Sequence, residues 1–149
     1  MLFRSETVFT ELRLAGVDLS GMLLKPNMVL AGIRSRQRPG VEEAAERTVA
    51  CLKAHVPAAV PGIAFLSGGQ DPFEATAHLN AIAQETGPKP WQLTFSFGRA
   101  LQDEALRAWG GWPENVGAGQ LAFLHRARCV SSAAAGSYSA AMEEQPAVA

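Results

Sequence analysis

Apolar positions along this chain alternate between two rhythms. Val8, Phe9, Leu12 and Ala15 fall at helical spacing and stop before Gly16, which predicts a first helix over residues 5–15. Met22, Leu23 and Leu24 form a short apolar run that reads as a buried strand. It ends at Lys25, because Pro26 has no N–H for a ladder. Residues 30–40 hold two glycines, a proline and Arg34, Arg36 and Arg38, the composition of a solvated loop. Val41, Ala45, Val49 and Leu52 then make one stripe of a second helix over 41–54. Glu43 and Arg47 pair at i,i+4 on another face, and Glu42, Glu43 and Glu46 face solvent.

The same alternation continues. Residues 62–66 are an apolar strand that runs into Ser67-Gly68-Gly69-Gln70. Asp71, Pro72 and Glu74 then begin a helix well, as cap, first-turn proline and capping-box acid. Residues 91–95 form a third strand, ending at Ser96-Phe97-Gly98-Arg99. A helix carrying Leu101, Ala105, Leu106 and Trp109 follows and is closed by Gly110 and Gly111. Pro113 opens a last helix with Val116, Leu121, Phe123 and Leu124, in which Gly117 and Gly119 each cost about 1 kcal/mol of helix propensity. From Ser131 the Ala/Ser/Gly-rich chain reads as disordered. Helices alternating with short apolar strands imply an α/β fold with parallel pairing. A doubly wound sheet and part of a (β/α)8 barrel both fit that pattern.

Composition narrows the function. The chain has 149 residues, 48% hydrophobic and 18% charged, with a net charge of −1. It lacks the basic excess of a nucleic-acid surface. No apolar run approaches the ~18 residues of a membrane span, and the first residues carry no signal-peptide core. Two distant cysteines, Cys51 and Cys129, form neither a zinc motif nor a disulfide framework, so a reducing cytoplasmic location is expected. His55, His78 and His125 have no ligand spacing and are expected at the surface, and no metal is expected. Trp91, Trp109 and Trp112 read as core or interface residues, and the serines lack a histidine partner for hydrolase chemistry.

Each strand ends in a distinct polar group, and parallel α/β folds build their sites at such carboxyl ends. The tips at 25, 67 and 96 lie 42 and 29 residues apart, compatible with roughly 31 residues per βα unit of a barrel. A lysine at a strand end often only snorkels to solvent. Following Met22-Leu23-Leu24, however, Lys25 would stand at the mouth of an apolar interior, where desolvation favours the neutral amine that Schiff-base chemistry needs. Ser67-Gly68-Gly69 and Ser96-Phe97-Gly98 both precede a helix start, where backbone N–H groups attract anions. Arg99 adds a bidentate cation. A carbonyl-catching amine beside a phosphate cradle points to a phosphorylated carbonyl substrate.

At this point the residues resemble a known family. Leu23-Leu24-Lys25-Pro26-Asn27-Met28 is similar to the Schiff-base segment of class I fructose-bisphosphate aldolases. Phe65-Leu66-Ser67-Gly68-Gly69-Gln70, Lys89-Pro90-Trp91, Thr94-Phe95-Ser96-Phe97-Gly98-Arg99 and Ala108-Trp109-Gly110-Gly111 extend the match in order, over roughly residues 8–138. The resemblance implies the C-terminal part of a (β/α)8 TIM barrel, about three βα units plus C-terminal helices. Residues 1–138 would be partial barrel and 139–149 a disordered tail. It implies that Lys25 forms the iminium that cleaves fructose 1,6-bisphosphate to dihydroxyacetone phosphate and glyceraldehyde 3-phosphate, in glycolysis and gluconeogenesis. Leu66, Ser67, Gly68, Ser96, Gly98 and Arg99 would bind the ketose-side phosphate. No metal or other cofactor is implied, since the iminium replaces a Lewis acid. The expected partners are a phosphorylated sugar and, for a full-length form, further copies of itself.

The departures shape the expectation. Family members carry an aspartate, further lysines and an acid/base glutamate on earlier strands that have no counterpart here, and a chain more than twice as long as these 149 residues. The chain therefore reads as a fragment, active only when completed. The alternative is an inactive truncated chain that binds sugar phosphate or aldolase subunits. Three or four strands leave an unpaired edge, which predicts low stability or self-association.

Overall fold

The computed structural model of the chain describes residues 2–32 and 34–144. Helix α1 spans Leu2–Leu14, strand β1 Leu23–Leu24, α2 Val41–His55, β2 Gly62–Phe65 and α3 Pro72–Gln84. Strand β3 spans Gln92–Phe95, α4 Arg99–Trp109 and α5 Val116–Ala134, with short 3-10 turns at Leu19–Gly21, Pro113–Asn115 and Ala140–Glu144. The elements match the expected ones to within a residue or two at most ends. Asp71 caps α3, its Oδ1 accepting from the N–H of Phe73 at 2.9 Å and of Glu74 at 3.5 Å.

The three strands form one parallel sheet in the order β1-β2-β3, with Leu24 opposite Ile63 and Phe65 opposite Phe95. The order never reverses, as successive units of a barrel wall require. The central strand is enclosed: Gly62, Ile63 and Phe65 are buried. The edge strands are not, and Leu23 on β1 is 71% exposed. Phe9, Val49, Leu52, Leu79, Ile82 and Val130 join β2 in the core. Trp91 seals the start of β3 by donating its indole N–H to the Pro57 carbonyl at 3.0 Å. Trp109 and Trp112 are exposed.

Helix α5 departs from the expected pattern. Its large apolar residues Val116, Leu121, Phe123 and Leu124 are exposed, and its inward face carries Gly119, Arg126, Cys129, Val130 and Ala133. The Gly119 end of that inward face packs on α4. A Cβ on Gly119 would sit 2.9 Å from Trp109 Cβ and 3.2 Å from the Ala105 carbonyl oxygen. The two helices approach too closely there for a side chain, and the propensity cost is the condition of the contact.

The tail was expected to be disordered from Ser131, and the domain boundary placed 139–149 outside the fold. Residues up to Glu144 are instead tied down, while 145–149 lie outside the described residues. Arg126, buried on α5, donates from Nε to Glu104 at 2.9 Å and from both terminal nitrogens to Glu143 at 2.8 and 2.7 Å. Its guanidinium lies 4.6 Å from the centre of the Phe73 ring, a cation–π contact. Tyr138 donates its hydroxyl to Glu143 at 2.9 Å and its backbone N–H to Asn80 Oδ1 at 3.0 Å. A buried charge has to be matched, and the tail supplies the match.

Gly119→Ala should destabilise the chain by about 1–3 kcal/mol through overpacking. Gly117→Ala, with nothing within 4 Å of its added Cβ, should stabilise it by about 0.4–1 kcal/mol. Urea midpoints moving in the same direction would contradict the close approach. At Glu143, burial pushes the carboxyl up, but the hydrogen bonds from Arg126 and Tyr138 outweigh it and hold the group below the ordinary glutamate range. A lowered folded-state value means that the stabilisation is complete above the unfolded pKa and is lost as pH falls through the folded one. Glu143→Gln should therefore cost about 3 kcal/mol near neutral pH, a gap that closes in acid. Unfolding midpoints whose difference stays constant with pH would refute it.

Candidate active site at the strand tips

The ladder continues one step beyond each strand. The Leu66 N–H donates to the Pro26 carbonyl at 3.0 Å, and the Ser96 N–H to the Phe65 carbonyl at 2.8 Å. These two bonds bring Lys25, Ser67 and Ser96 to one end of the sheet. The Leu66 N–H is thereby committed, so Leu66 stands beside the cradle as a tie between tips. Lys25 is exposed rather than set at the mouth of an apolar interior, because its strand is an edge here. It lines a cleft of ≈ 790 Å³ together with Arg4, Phe9, Asn27, Met28 and Gly68.

The loop after β2 is tightly built. Ser67 is buried, and Gly68 and Gly69 have φ of +64° and +82°, the left-handed region that favours glycine. A Cβ on Gly68 would also fall 2.4 Å from Asn27 Oδ1, so the loop packs directly on the segment that carries Lys25. A Cβ on Gly69 would lie 3.8 Å from Arg99 Nη2, which places the guanidinium over the same loop.

The two helix starts beside the tips are not equivalent. At α3 the Asp71 carboxylate already occupies the first-turn N–H groups. At α4 the cap is Gly98, which has no side chain to offer, and Arg99 is the first helical residue. The Leu101 N–H donates to the Gly98 carbonyl at 3.0 Å, and the first two N–H groups of α4, those of Arg99 and Ala100, are left without an intrahelical acceptor. The anion-attracting end is thus that of α4, facing Gly69 and flanked by Ser96 and Arg99. Of the two helix starts anticipated as phosphate cradles, only this one is open.

Some residues at the site were missed in the sequence. Gln70 donates from Nε2 to the Ser67 carbonyl at 2.7 Å and approaches Met28 Sδ at 3.5 Å. His78, expected at the surface, is 4% exposed. Its Nδ1 lies 2.6 Å from Gln70 Oε1. Burial pushes its imidazole below the ordinary histidine range, against the opposing charges of Glu74 and then Glu42. The signal was present, since His78 shares the helical stripe of Ala75, Leu79 and Ile82. Elsewhere, His125, Cys129 and Glu143 bring one ligand atom each within 4.8 Å of one another. Both Glu143 oxygens are already held by the Arg126 guanidinium, so that cluster reads as part of the buried ion-pair network.

Known proteins resemble this chain over most of its length. The family model "Fructose-bisphosphate aldolase class-I" matches residues 5–149. The cytosolic fructose-bisphosphate aldolase 4 of Arabidopsis thaliana is 56% identical over 122 residues, which are 82% of this chain and 31% of that protein. The chloroplastic fructose-bisphosphate aldolase 2 of the same plant is 47% identical over 94% of this chain and 35% of its own length. A crystal structure of fructose-bisphosphate aldolase from Plasmodium falciparum, in complex with TRAP and a small-molecule inhibitor, superposes with a TM-score of 0.87 at 45% identity. It covers 91% of this chain and 39% of that one. The chain thus spans about a third of the length of the curated relatives it matches. No helix among the described residues is long and apolar enough to cross a membrane.

Gly68→Ala combines a left-handed φ with a collision on Asn27. It should cost about 1–3 kcal/mol and weaken inorganic phosphate binding at least ~10-fold. Calorimetry showing unchanged phosphate affinity would remove Gly68 from the site.

Proposed function

The chain belongs to the class I fructose-bisphosphate aldolase family, and on that premise we propose that it carries the Schiff-base lysine and ketose-phosphate cradle of such an enzyme. The carrying observation is the pair of bonds between tips, Leu66 to Pro26 and Ser96 to Phe65. They bring Lys25 and the open start of α4 to the same end of the sheet. The substrate phosphate sits against the Gly68–Gly69 turn, the Ser67 and Ser96 hydroxyls, the Gly98 cap and the Arg99 fork. So anchored, the ketone carbon meets the Lys25 amine. The neutral amine adds, water leaves, and an iminium forms. A base takes the C4 hydroxyl proton as the electron pair of the breaking C3–C4 bond flows to the iminium nitrogen, giving an enamine and releasing glyceraldehyde 3-phosphate. The enamine takes up a proton at carbon, and hydrolysis returns Lys25 and dihydroxyacetone phosphate. The cytoplasm is the proposed location.

A second reading has its own observation. Among the described residues that line the Lys25 cleft there is no carboxylate. The proton transfers of cleavage need a positioned acid and base. By itself, then, the chain would bind sugar phosphate and trap it slowly, or bind aldolase subunits, without turnover.

Both readings meet one experiment. Borohydride reduction with dihydroxyacetone phosphate should label Lys25, and Lys25→Ala should abolish the label. Arg99→Ala should raise the half-saturating concentration ~10–100-fold, the worth of a charge-assisted contact. Labelling that survives Lys25→Ala refutes the assignment. Lys25-dependent cleavage of fructose 1,6-bisphosphate by the 149-residue chain alone refutes the binding-only reading.

A further inference from the structure

We propose that His78 is a positioning residue of this site, acting through Gln70 to hold the phosphate loop in register with the lysine segment. The proposal rests on the functional reading above for its substrate, but its geometry stands separately. The Gln70 amide touches three elements around the site. Its Nε2 donates to the Ser67 carbonyl, where the glycine turn begins, and approaches the sulfur of Met28, three residues beyond Lys25. Both partners are acceptors, which fixes the amide with nitrogen toward them and oxygen toward α3. The oxygen only accepts, so His78 Nδ1, at 2.6 Å, carries the proton that meets it.

The chain of contacts therefore runs from α3, through one amide, to the loop and to the Lys25 segment. Behind the loop lies a cavity of ≈ 160 Å³ lined by Gly68, Gly69, Gln70, Glu74 and His78. The Gly68–Gly69 turn packs on Asn27 on one side and opens into this space on another, where hydrogen bonds between Ser67 and Gln70 hold it. Without the His78 donor the Gln70 amide loses its tie to α3 and can rotate off the Ser67 carbonyl. That rotation would displace the loop that contacts both Asn27 and Arg99.

A donor and an acceptor of equal shape separate this role from mere packing. His78→Asn keeps an N–H on Cγ, where Nδ1 is attached, whereas His78→Asp puts an oxygen there. In borohydride trapping, H78N should need a dihydroxyacetone phosphate concentration within ~2-fold of wild type, and H78D at least ~10-fold more. Trapping of unphosphorylated dihydroxyacetone should be equal in both. Exchange of the Gln70 side-chain amide protons, followed by NMR, should be slow in wild type and H78N and fast in H78D. If H78D does not fold, H78L, with no polar atom, should show the same rises. Equal trapping and equal exchange in the donor and non-donor variants overturn the proposal, as does equal loss with both probes. If wild type gives no Lys25 label with either probe, the functional reading fails, and the exchange rates alone still decide the relay.

Discussion

A guanidinium that is only 1% exposed organises the helical layer of this protein. A buried charge without partners costs several kcal/mol, so every position around Arg126 must answer it. Glu104 on α4, Glu143 in the tail and the face of Phe73 on α3 do so together. Phe73 is in the first turn of α3, and Glu104 lies in the second turn of α4. The two helices whose starts border the strand tips are thus braced from one point. The same network pushes the Tyr138 hydroxyl up to about 12, through burial first and then the Glu143 hydrogen bond and charge. It therefore stays a donor across the ordinary pH range.

The site is built on an asymmetry between those helix starts. Two loops with glycines run into two helices, and a side-chain carboxylate closes one of them. Asp71 satisfies the first turn of α3 and gives that helix its stability. Gly98 leaves α4 open, at some cost in helix stability, and Arg99 adds charge there. An anion can complete only the second. The cap stabilises α3, α4 stays open, and the parallel register brings both helix starts to the same end of the sheet as Lys25. That division also explains how Gln70 and His78 matter. They belong to that helix and its entry, and tie the left-handed glycine turn to it.

Edges limit what the chain does unaided. β1 contributes only two paired residues, and Lys25 beyond it is exposed. A strand covered on one side leaves its lysine in water, whereas further barrel strands would enclose it. The chain spans about a third of the relatives it matches, and the cleft beside Lys25 lacks a carboxylate among its described lining.

The local code of the sequence was sufficient for much of this. Proline after Lys25, the Asp71-Pro72 helix start and the glycines closing α4 set the elements, because each acts through its own backbone. The lysine and the glycine-arginine cradle were legible as residue types at strand ends. Other features were decided by neighbours distant in sequence. The packing of α5 on α4 turned on the close approach of Trp109 to Gly119, with Leu121 and Leu124 left on the outer face. Ordering of the tail turned on Arg126, whose need for counter-charge no local propensity expresses. His78 became a buried donor because α3 packs beside the loop holding Gln70. By itself the sequence determined the α/β elements and the chemistry offered at the strand ends. Tertiary structure decided which helix start stays open, which faces are buried and what holds the loop, since these depend on contacts between segments that local pattern does not encode.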